Sequence, residues 1–128
     1  MDLHPDELII RLKLLKLPSG YKEGFRKLGP REAQAISKVI GSYRGCIEGR
    51  VVKDFRVSLG SVAPIAVRLE KFEHWILGKT LSPELLDEIE GRIANEVTPI
   101  DDIRSTADYR QWVSGRLVRS FVEELGSL

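Results

Sequence analysis

The side chains best suited to chemistry are the basic ones in residues 25–36. Arg26, Lys27 and Arg31 lie there among apolar residues. A cation in such a setting can stabilise a bound anion, whereas a run of charges is more often solvated surface. With the other basic residues from position 11 onward, these cations form a candidate nucleic-acid surface. The formal net charge of +1 and the lack of a base-stacking motif disfavour a nucleic-acid partner.

The histidines and the cysteine do not indicate a metal site. His4 and His74 are far apart in the sequence, and neither has a cysteine or carboxylate at metal-ligand spacing. We therefore expect both histidines in solvent. Cys46 is the only cysteine, which excludes an intrachain disulfide and a thiolate metal site. In a strand, a lone thiol is most often a small buried residue, and this is the expectation for Cys46.

Two downstream features are interpreted first as local structure. Asp101 and Asp102 are neighbours and point in different directions, so they do not form an acid–base pair. We expect Asp102 to order its loop or to pair with Arg104 or Arg110 at the start of a helix. Gly60 belongs to neither a GxxxxGK[ST] nor a GxGxxG phosphate motif, and it allows a sharp turn at the end of a strand.

Length and composition indicate a single globular domain. The chain has 128 residues, of which 42% are hydrophobic and 30% charged. That is enough to build one core without help from a metal or a disulfide. The sequence has no signal-peptide core and no apolar run near the length of a membrane span, so we expect a cytoplasmic protein with no membrane partner.

The first half of the chain has the periodicity of strands. Leu8 to Leu15 alternate as in a strand that ends at Pro18-Ser19-Gly20, and an irregular stretch follows as far as Gly29-Pro30. Arg31 to Gln34 have the composition of a short helical turn. Residues 36–47 and 51–59 predict a β-hairpin that turns at Glu48-Gly49. In its second strand, one face carries Phe55, Val57 and Leu59.

After Pro64 the apolar spacing becomes helical. Three helices are predicted: one around Ile65–Ile76 that ends at Gly78, one that starts at Ser82-Pro83, and one that starts at Thr106–Asp108. The apolar stripe of the second is Leu85, Leu86, Ile89, Ile93 and Val97, and the third carries Tyr109, Trp112, Val113, Leu117, Phe121 and Leu125. Strands followed by helices predict an α+β fold, with an antiparallel sheet of about three strands packed against a three-helix bundle.

Two signatures carry a family resemblance. They are FRVSLGSVAPIAVR at Phe55–Arg68 and DDIRSTADYR at Asp101–Arg110. The residues that carry it are Arg56, Leu59, Gly60, Ser61, Val62, Ala63, Pro64 and Arg68, then Pro99, Asp102, Arg104, Ser105, Tyr109 and Arg110. In order and spacing they resemble the C-terminal domain of the FAD-binding medium subunit of molybdenum hydroxylases, the family of carbon monoxide dehydrogenases and xanthine dehydrogenases. The resemblance assigns residues 21–128 to that domain, and residues 1–20 to a leading strand and linker from a preceding FAD subdomain.

The resemblance also implies which residues contact a flavin. Arg26 matches a basic residue that contacts FAD, Lys27 is its neighbour, and Arg31 belongs to an arginine–acid pair. Ala35 or Ile36 matches an apolar residue that covers one face of the ring, and the strand end at Gly60 lies near the flavin cavity. A cation stabilises the negative charge of a reduced flavin, and an apolar cover excludes water. Ala33 and Gln34 replace two aspartates of the xanthine dehydrogenases, so NAD contacts at these positions are not expected.

The chain is not expected to bind FAD tightly by itself. The glycine-rich AGGT and TIGGN motifs that hold FAD in this family are absent, and one cysteine cannot ligate an iron–sulfur cluster. The implied partners are an N-terminal FAD-binding domain or subunit, an iron–sulfur subunit and a molybdopterin subunit. The implied function is to cover the flavin and contact these subunits during electron transfer from a molybdenum site. The alternative is a non-catalytic interaction module that binds a partner or forms a homo-oligomer through its helices.

Overall fold

Strands occupy the first half of the chain and helices the second, as the periodicity predicts. The computed structural model describes residues 3–31 and 35–126. The elements are β1 (Tyr21–Leu28), β2 (Val39–Glu48), β3 (Val51–Gly60), β4 (Val67–Arg68), α1 (Glu70–Ile76), α2 (Pro83–Ala94) and α3 (Ala107–Gly126). The strands form one antiparallel sheet in the order β1-β2-β3-β4. The α+β prediction is confirmed, with four strands in place of about three.

The predicted hairpin is the centre of the sheet. Strands β2 and β3 pair along their whole length, and Gly49 turns between them with a φ of +60°. That angle lies in the left-handed region, which glycine enters without steric cost. Phe55, Val57 and Leu59 all lie on the buried face, each no more than 2% exposed. The alternation in the sequence therefore identified the core side of β3 correctly.

The three helices cover the buried face of the sheet, which we call the helix face. Helix α3 packs on β2, α1 packs on β3, and α2 packs on α3. The approach of α3 to the sheet is close at Gly41, where an added Cβ would lie 2.8 Å from Leu59 Cδ2 and 2.9 Å from Leu117 Cδ2. Glycine at this position therefore sets the distance between helix and sheet. Among the described residues no helix lies on the other face of the sheet, which we call the open face.

The helix boundaries follow the predicted signals at two positions. Ser82 caps α2 by accepting a hydrogen bond from the Leu85 backbone N–H at 3.2 Å, and Pro83 is the first helical residue. Gly78 follows α1 with a φ of +75°. Helix α1 is shorter than predicted, because it begins at Glu70. Ile65 lies outside α1 and is 75% exposed.

Two predictions for the start of the chain are wrong: the strand at residues 8–15 and the irregular stretch that follows it. Residues 8–15 pair with no strand in the described chain, and their alternate leucines are more than 80% exposed. Alternation alone does not supply the partner that a strand needs for its backbone hydrogen bonds. The stretch predicted as irregular is instead the edge strand β1. It escaped notice because its residues are mostly exposed on both faces, which removes the two-residue period from the sequence.

Cys46 lies in β2 as predicted, but it is only half-buried. It falls at a β-bulge, where the register with β3 shifts between Cys46 and Ile47. The predicted turn at 31–34 lies outside the described residues except for Arg31. Within residues 3–31 and 35–126, no helix has the length and apolar character needed to cross a membrane.

Candidate functional site

Strand register brings two of the predicted residues into one row. Lys27 pairs with Ile40 across β1 and β2, and Ile40 pairs with Gly60 across β2 and β3. Directly opposed residues of an antiparallel pair lie on the same face of the sheet. The three positions therefore form a row on the open face, at the end where β1 and β3 finish. Gly60 leaves room for its neighbour, because a Cβ there would lie 2.7 Å from Ile40 Cγ2.

Arg26 lies on the opposite side of the sheet from Lys27. It pairs with Gly41, whose position faces the helices. Its Nη2 donates to Glu124 Oε2 of α3 at 2.9 Å, and both side chains are about half exposed. Side chains of successive strand residues point to opposite faces, so the two predicted cations serve different surfaces. Arg26 ties the edge strand to α3, while Lys27 belongs to the open face.

The remaining predicted residues lie in the loop between β1 and β2. Ala35 is 9% exposed, whereas Ile36 is 65% exposed. Arg31 is exposed and, with Lys27 and Ala35, lines a cavity of about 310 Å³. The predicted residues other than Arg26 are thus gathered at one end of the sheet. Of the two candidates for an apolar cover, only Ile36 presents its side chain to solvent.

The sequence did not reveal a trough that crosses the open face. Phe25 pairs with Ser42, Ser42 with Ser58, and Ser58 with Arg68, so one row runs through all four strands. These residues line a cavity of about 600 Å³ together with Glu23, Gly24, Tyr43, Arg44, Arg56 and Val57. Phe25 is 58% exposed at one end of the row. The two serines form a floor of small side chains between the aromatic ring and the arginine.

A buried carboxylate supports one wall of this trough. Glu73 of α1 is completely buried, and its oxygens accept hydrogen bonds from Arg68 Nη2 at 2.6 Å and from Arg56 Nη1 at 3.0 Å. They also accept from Arg68 Nε and from the Val57 backbone N–H, each at 3.0 Å. Burial alone would raise the pKa of Glu73, but the bonds from Arg68, Val57 and Arg56 outweigh it and lower the pKa. Glu73 is therefore ionised and holds both guanidinium groups in place.

Asp102 organises the start of α3, as expected from the sequence. Its carboxylate accepts from Arg104 Nη2 at 2.5 Å and from Arg110 Nη2 at 2.6 Å. It also accepts from the backbone N–H groups of Arg104 and Ser105. The hydrogen bonds from Arg104 lead the causes that hold the pKa of Asp102 well below its usual range. Arg110, which is 3% exposed, also donates to the Ser61 carbonyl at 2.8 Å, so this cluster links α3 to the turn after β3.

The histidines play no part in these clusters. His4 and His74 are both exposed, as expected, and His74 Nδ1 lies 2.6 Å from the Glu70 carbonyl within α1. Across residues 3–31 and 35–126, no three His, Cys, Asp or Glu side chains are placed to hold a metal ion.

Comparison with known proteins gives consistent relatives. The chain is 25% identical to the glyceraldehyde dehydrogenase medium chain of Sulfolobus acidocaldarius over 88% of its own length. It is also 25% identical to the carbon monoxide dehydrogenase medium chain of Hydrogenophaga pseudoflava over 91% of its length. The chain spans only 39% and 40% of these two relatives.

Solved structures share the fold. A carbon monoxide dehydrogenase from Hydrogenophaga pseudoflava which lacks the Mo-pyranopterin moiety matches 81% of this chain and 36% of that one, with a TM-score of 0.74 and 26% identity. Quinoline 2-oxidoreductase from Pseudomonas putida 86 matches 85% of this chain and 38% of that one, with a TM-score of 0.74 and 16% identity, a likeness of fold alone.

A sequence model of one family covers most of the chain. The model describes the CO dehydrogenase flavoprotein C-terminal domain, and it matches residues 24–125. The matched range begins within β1 and ends in the last turn of α3, so it includes the sheet and all three helices. The chain therefore belongs to the CO dehydrogenase flavoprotein C-terminal domain family.

Proposed function

We propose that the chain is the C-terminal domain of an FAD-containing oxidoreductase subunit of the molybdenum hydroxylase type. In the assembled enzyme it covers the flavin and contacts the neighbouring subunits. Electrons pass there from a molybdenum site through iron–sulfur clusters to FAD. The observation that carries the proposal is the family match over residues 24–125, together with medium chains as relatives. We place the assembled enzyme in the cytoplasm.

The residues at the end of the sheet are suited to contact with a flavin ring. When bound, FAD supplies a group that accepts electrons and passes them on. Lys27 brings a positive charge to the open face, and a nearby cation stabilises the negative charge of a reduced ring. Ile36 offers an exposed apolar side chain that can exclude water from one side of the ring. Arg31, Ala35 and Gly60 complete the surface that we assign to this contact.

The described residues are not suited to hold the rest of the cofactor. A diphosphate is usually held by successive backbone N–H groups in a glycine-rich turn. The glycines with positive φ here are Gly20, Gly49 and Gly78, which lie in three separate turns. The chain thus fits the ring and not the diphosphate, which agrees with its span of about 40% of the medium chains. A separate flavin-binding portion is needed, and that portion is the first partner we propose.

Co-purification tests the proposal. The chain is expressed alone, and again together with the flavin-binding N-terminal portion of a medium chain from the same genome. Alone it is expected to carry no flavin absorbance. With the N-terminal portion it is expected to form a complex that carries flavin in proportion to the amount of chain.

Two outcomes would count against the proposal. Tight flavin binding by the isolated chain would contradict the assignment of the diphosphate to another portion. Absence of any complex, with the N-terminal portion folded and flavin-loaded, would favour an interaction module that has lost its flavin role. Arg26→Ala and Lys27→Ala serve as matched variants in the complex, because they remove one cation from each face of the same strand.

A further inference from the structure

We propose that Ser61 is a positioning residue that holds residues 35–38, and with them the exposed Ile36 side chain, at the end of the sheet. Ser61 is the first residue after β3 and follows Gly60 in the chain. The inference rests on the proposed function for what Ile36 covers. It adds a residue outside the surface assigned to the flavin contact, and a way in which Ile36 is kept in place.

The backbone of Ser61 has an unusual conformation. Its φ is +65°, and among residues 3–31 and 35–126 it is the only residue other than glycine with a positive φ. In this left-handed region the Cβ of a side chain lies too close to the following carbonyl oxygen. Such strain persists only where the surrounding structure holds the residue in place. Glycine would avoid the strain, so we expect the serine side chain to make a contact that glycine cannot make.

The turn that contains Ser61 is fixed from the side of the helices. Arg110 of α3 donates from Nη1 to the Ser61 carbonyl at 2.8 Å, and its Nη2 donates to Asp102. The next carbonyl, that of Val62, accepts from the Thr98 N–H at 3.0 Å. Arg110 is buried, so its bonds are shielded from water. The Ser61 backbone is therefore a fixed point from which the hydroxyl can hold another segment.

The Ser61 hydroxyl contacts the residue next to Ile36. Ser61 Oγ lies 3.4 Å from Ser37 Oγ, and either hydroxyl can donate. This distance is long for a bond between two hydroxyl groups, so its contribution to the stability of the whole fold is small. Loss of the contact should therefore loosen residues 35–38 without unfolding the domain.

Two further contacts hold the far side of Ser37. The Lys38 N–H donates to the Leu28 carbonyl at 2.7 Å, which joins the segment to the end of β1. Lys38 Nζ lies 5.1 Å from the centre of the Tyr109 ring, within the range of a cation–π contact. Both contacts are made by Lys38, which is one residue further from Ile36 than Ser37 is. The Lys38 amide can therefore report whether the segment stays against the sheet.

Hydrogen exchange of the full chain, followed by nuclear magnetic resonance, tests the inference at the Lys38 amide. Ser61→Ala and Ser61→Gly both remove the hydroxyl, but only glycine also removes the strain of the positive φ. Each is expected to raise the exchange rate of this amide about threefold, as for the loss of one weak neutral hydrogen bond. Ser58→Ala, on the open face of β3, is the matched control and is expected to leave the rate unchanged. An unchanged rate in Ser61→Gly would refute the role of the hydroxyl, even if Ser61→Ala failed to fold.

A second substitution tests whether the two serines act through one contact. Ser37→Ala removes the same contact from the other side. Ser37→Ala and the double variant Ser37→Ala/Ser61→Ala should therefore give the same exchange rate as Ser61→Ala. Additive effects of the two substitutions would show that the hydroxyls act separately, and would overturn the inference.

The complex with the flavin-loaded N-terminal portion tests the link to the cover. Iodide quenches the fluorescence of a flavin ring that it can reach. With Ser61→Gly, the quenching constant is expected to rise toward that of the N-terminal portion alone, while the amount of complex stays constant. An unchanged quenching constant, in a variant whose Lys38 amide exchanges faster, would refute the positioning of Ile36. Absence of any complex would refute the proposed function instead, and the exchange rates of the isolated chain would still decide the contact between the serines.

Discussion

Replacing Glu73 with alanine is expected to destabilise the fold more than any other single loss of charge. The carboxylate is completely buried, and it is the shared acceptor for two arginines and for one backbone N–H of β3. Alanine removes all of these acceptors at once. Val57 N–H is then left buried without a partner, while Arg56 and Arg68 lose the group that fixes them.

The magnitude follows from what remains after the substitution. Breaking a buried ion pair by removing one partner costs about 3–5 kcal/mol. An unsatisfied buried N–H costs about 1–3 kcal/mol, a part of the same loss. The side chains of Arg56 and Arg68 are 37% and 48% exposed, so water can solvate them again. We therefore expect about 3 kcal/mol for Glu73→Ala, from a total that is typically about 5–15 kcal/mol.

Urea denaturation followed by circular dichroism measures this loss. The midpoint should fall while the slope stays constant, as for a change in stability alone. Glu88→Ala is the matched control, because its ion pair with Arg92 is exposed on α2. Such a pair contributes only about 0.3–0.5 kcal/mol. A loss below about 1 kcal/mol for Glu73→Ala, or an equal loss for both variants, would refute the claim that the buried Glu73 carboxylate stabilises the fold as a shared acceptor.

The other expected outcomes concern pH, packing and the start of α3. Because the folded state lowers the pKa of Glu73, its contribution to stability is complete above the ordinary value of 4.5 and is lost as pH falls through the lower folded pKa. The unfolding free energy of Glu73→Gln should therefore fall less on acidification than that of the unmodified chain. Parallel curves of unfolding free energy against pH would contradict this. Gly41→Val should cost about 1–3 kcal/mol in denaturation because its side chain has no space. Gly91→Ala in α2, where nothing lies within 4 Å, should instead stabilise by about 0.4–1 kcal/mol, and equal effects would contradict the packing argument. Asp102→Asn should speed hydrogen exchange of the Arg104 and Ser105 amides just before α3, and unchanged exchange would show that the carboxylate is not needed there.

The sequence predicts the parts of the fold that are buried on one side. The period of two in β3 and the helical spacing after Pro64 indicate which side chains face the core. The structure agrees except at Ile65, Tyr109 and Trp112, which are exposed. The edge strand β1 shows no alternating apolar pattern, because Glu23, Phe25 and Lys27 are exposed. The run at 8–15 shows the opposite error, since its alternation is clear but no described strand pairs with it.

The candidate site was less predictable because it depends on strand register. Phe25, Ser42, Ser58 and Arg68 are spread over more than forty residues, and only hydrogen-bonded pairing places them in one row. The alternation of side chains along β1 also separates Arg26 from Lys27, which the sequence presents as neighbours with one role. Glu73 gave no signal either, since a glutamate in the first turns of a helix is usually exposed. The two family signatures did contain its partners, Arg56 and Arg68.

The central claim is that this domain covers the flavin of its enzyme, and quenching of flavin fluorescence by iodide tests it most directly. Iodide reaches an exposed ring by collision, so its quenching constant reports how open the ring is to solvent. The measurement compares the flavin-loaded N-terminal portion alone with its complex with this chain. We predict that the quenching constant falls several-fold in the complex and rises again with Ile36→Ala, which removes the exposed apolar side chain assigned to the cover. An equal quenching constant with and without the chain, in a complex shown to be intact, would contradict the account.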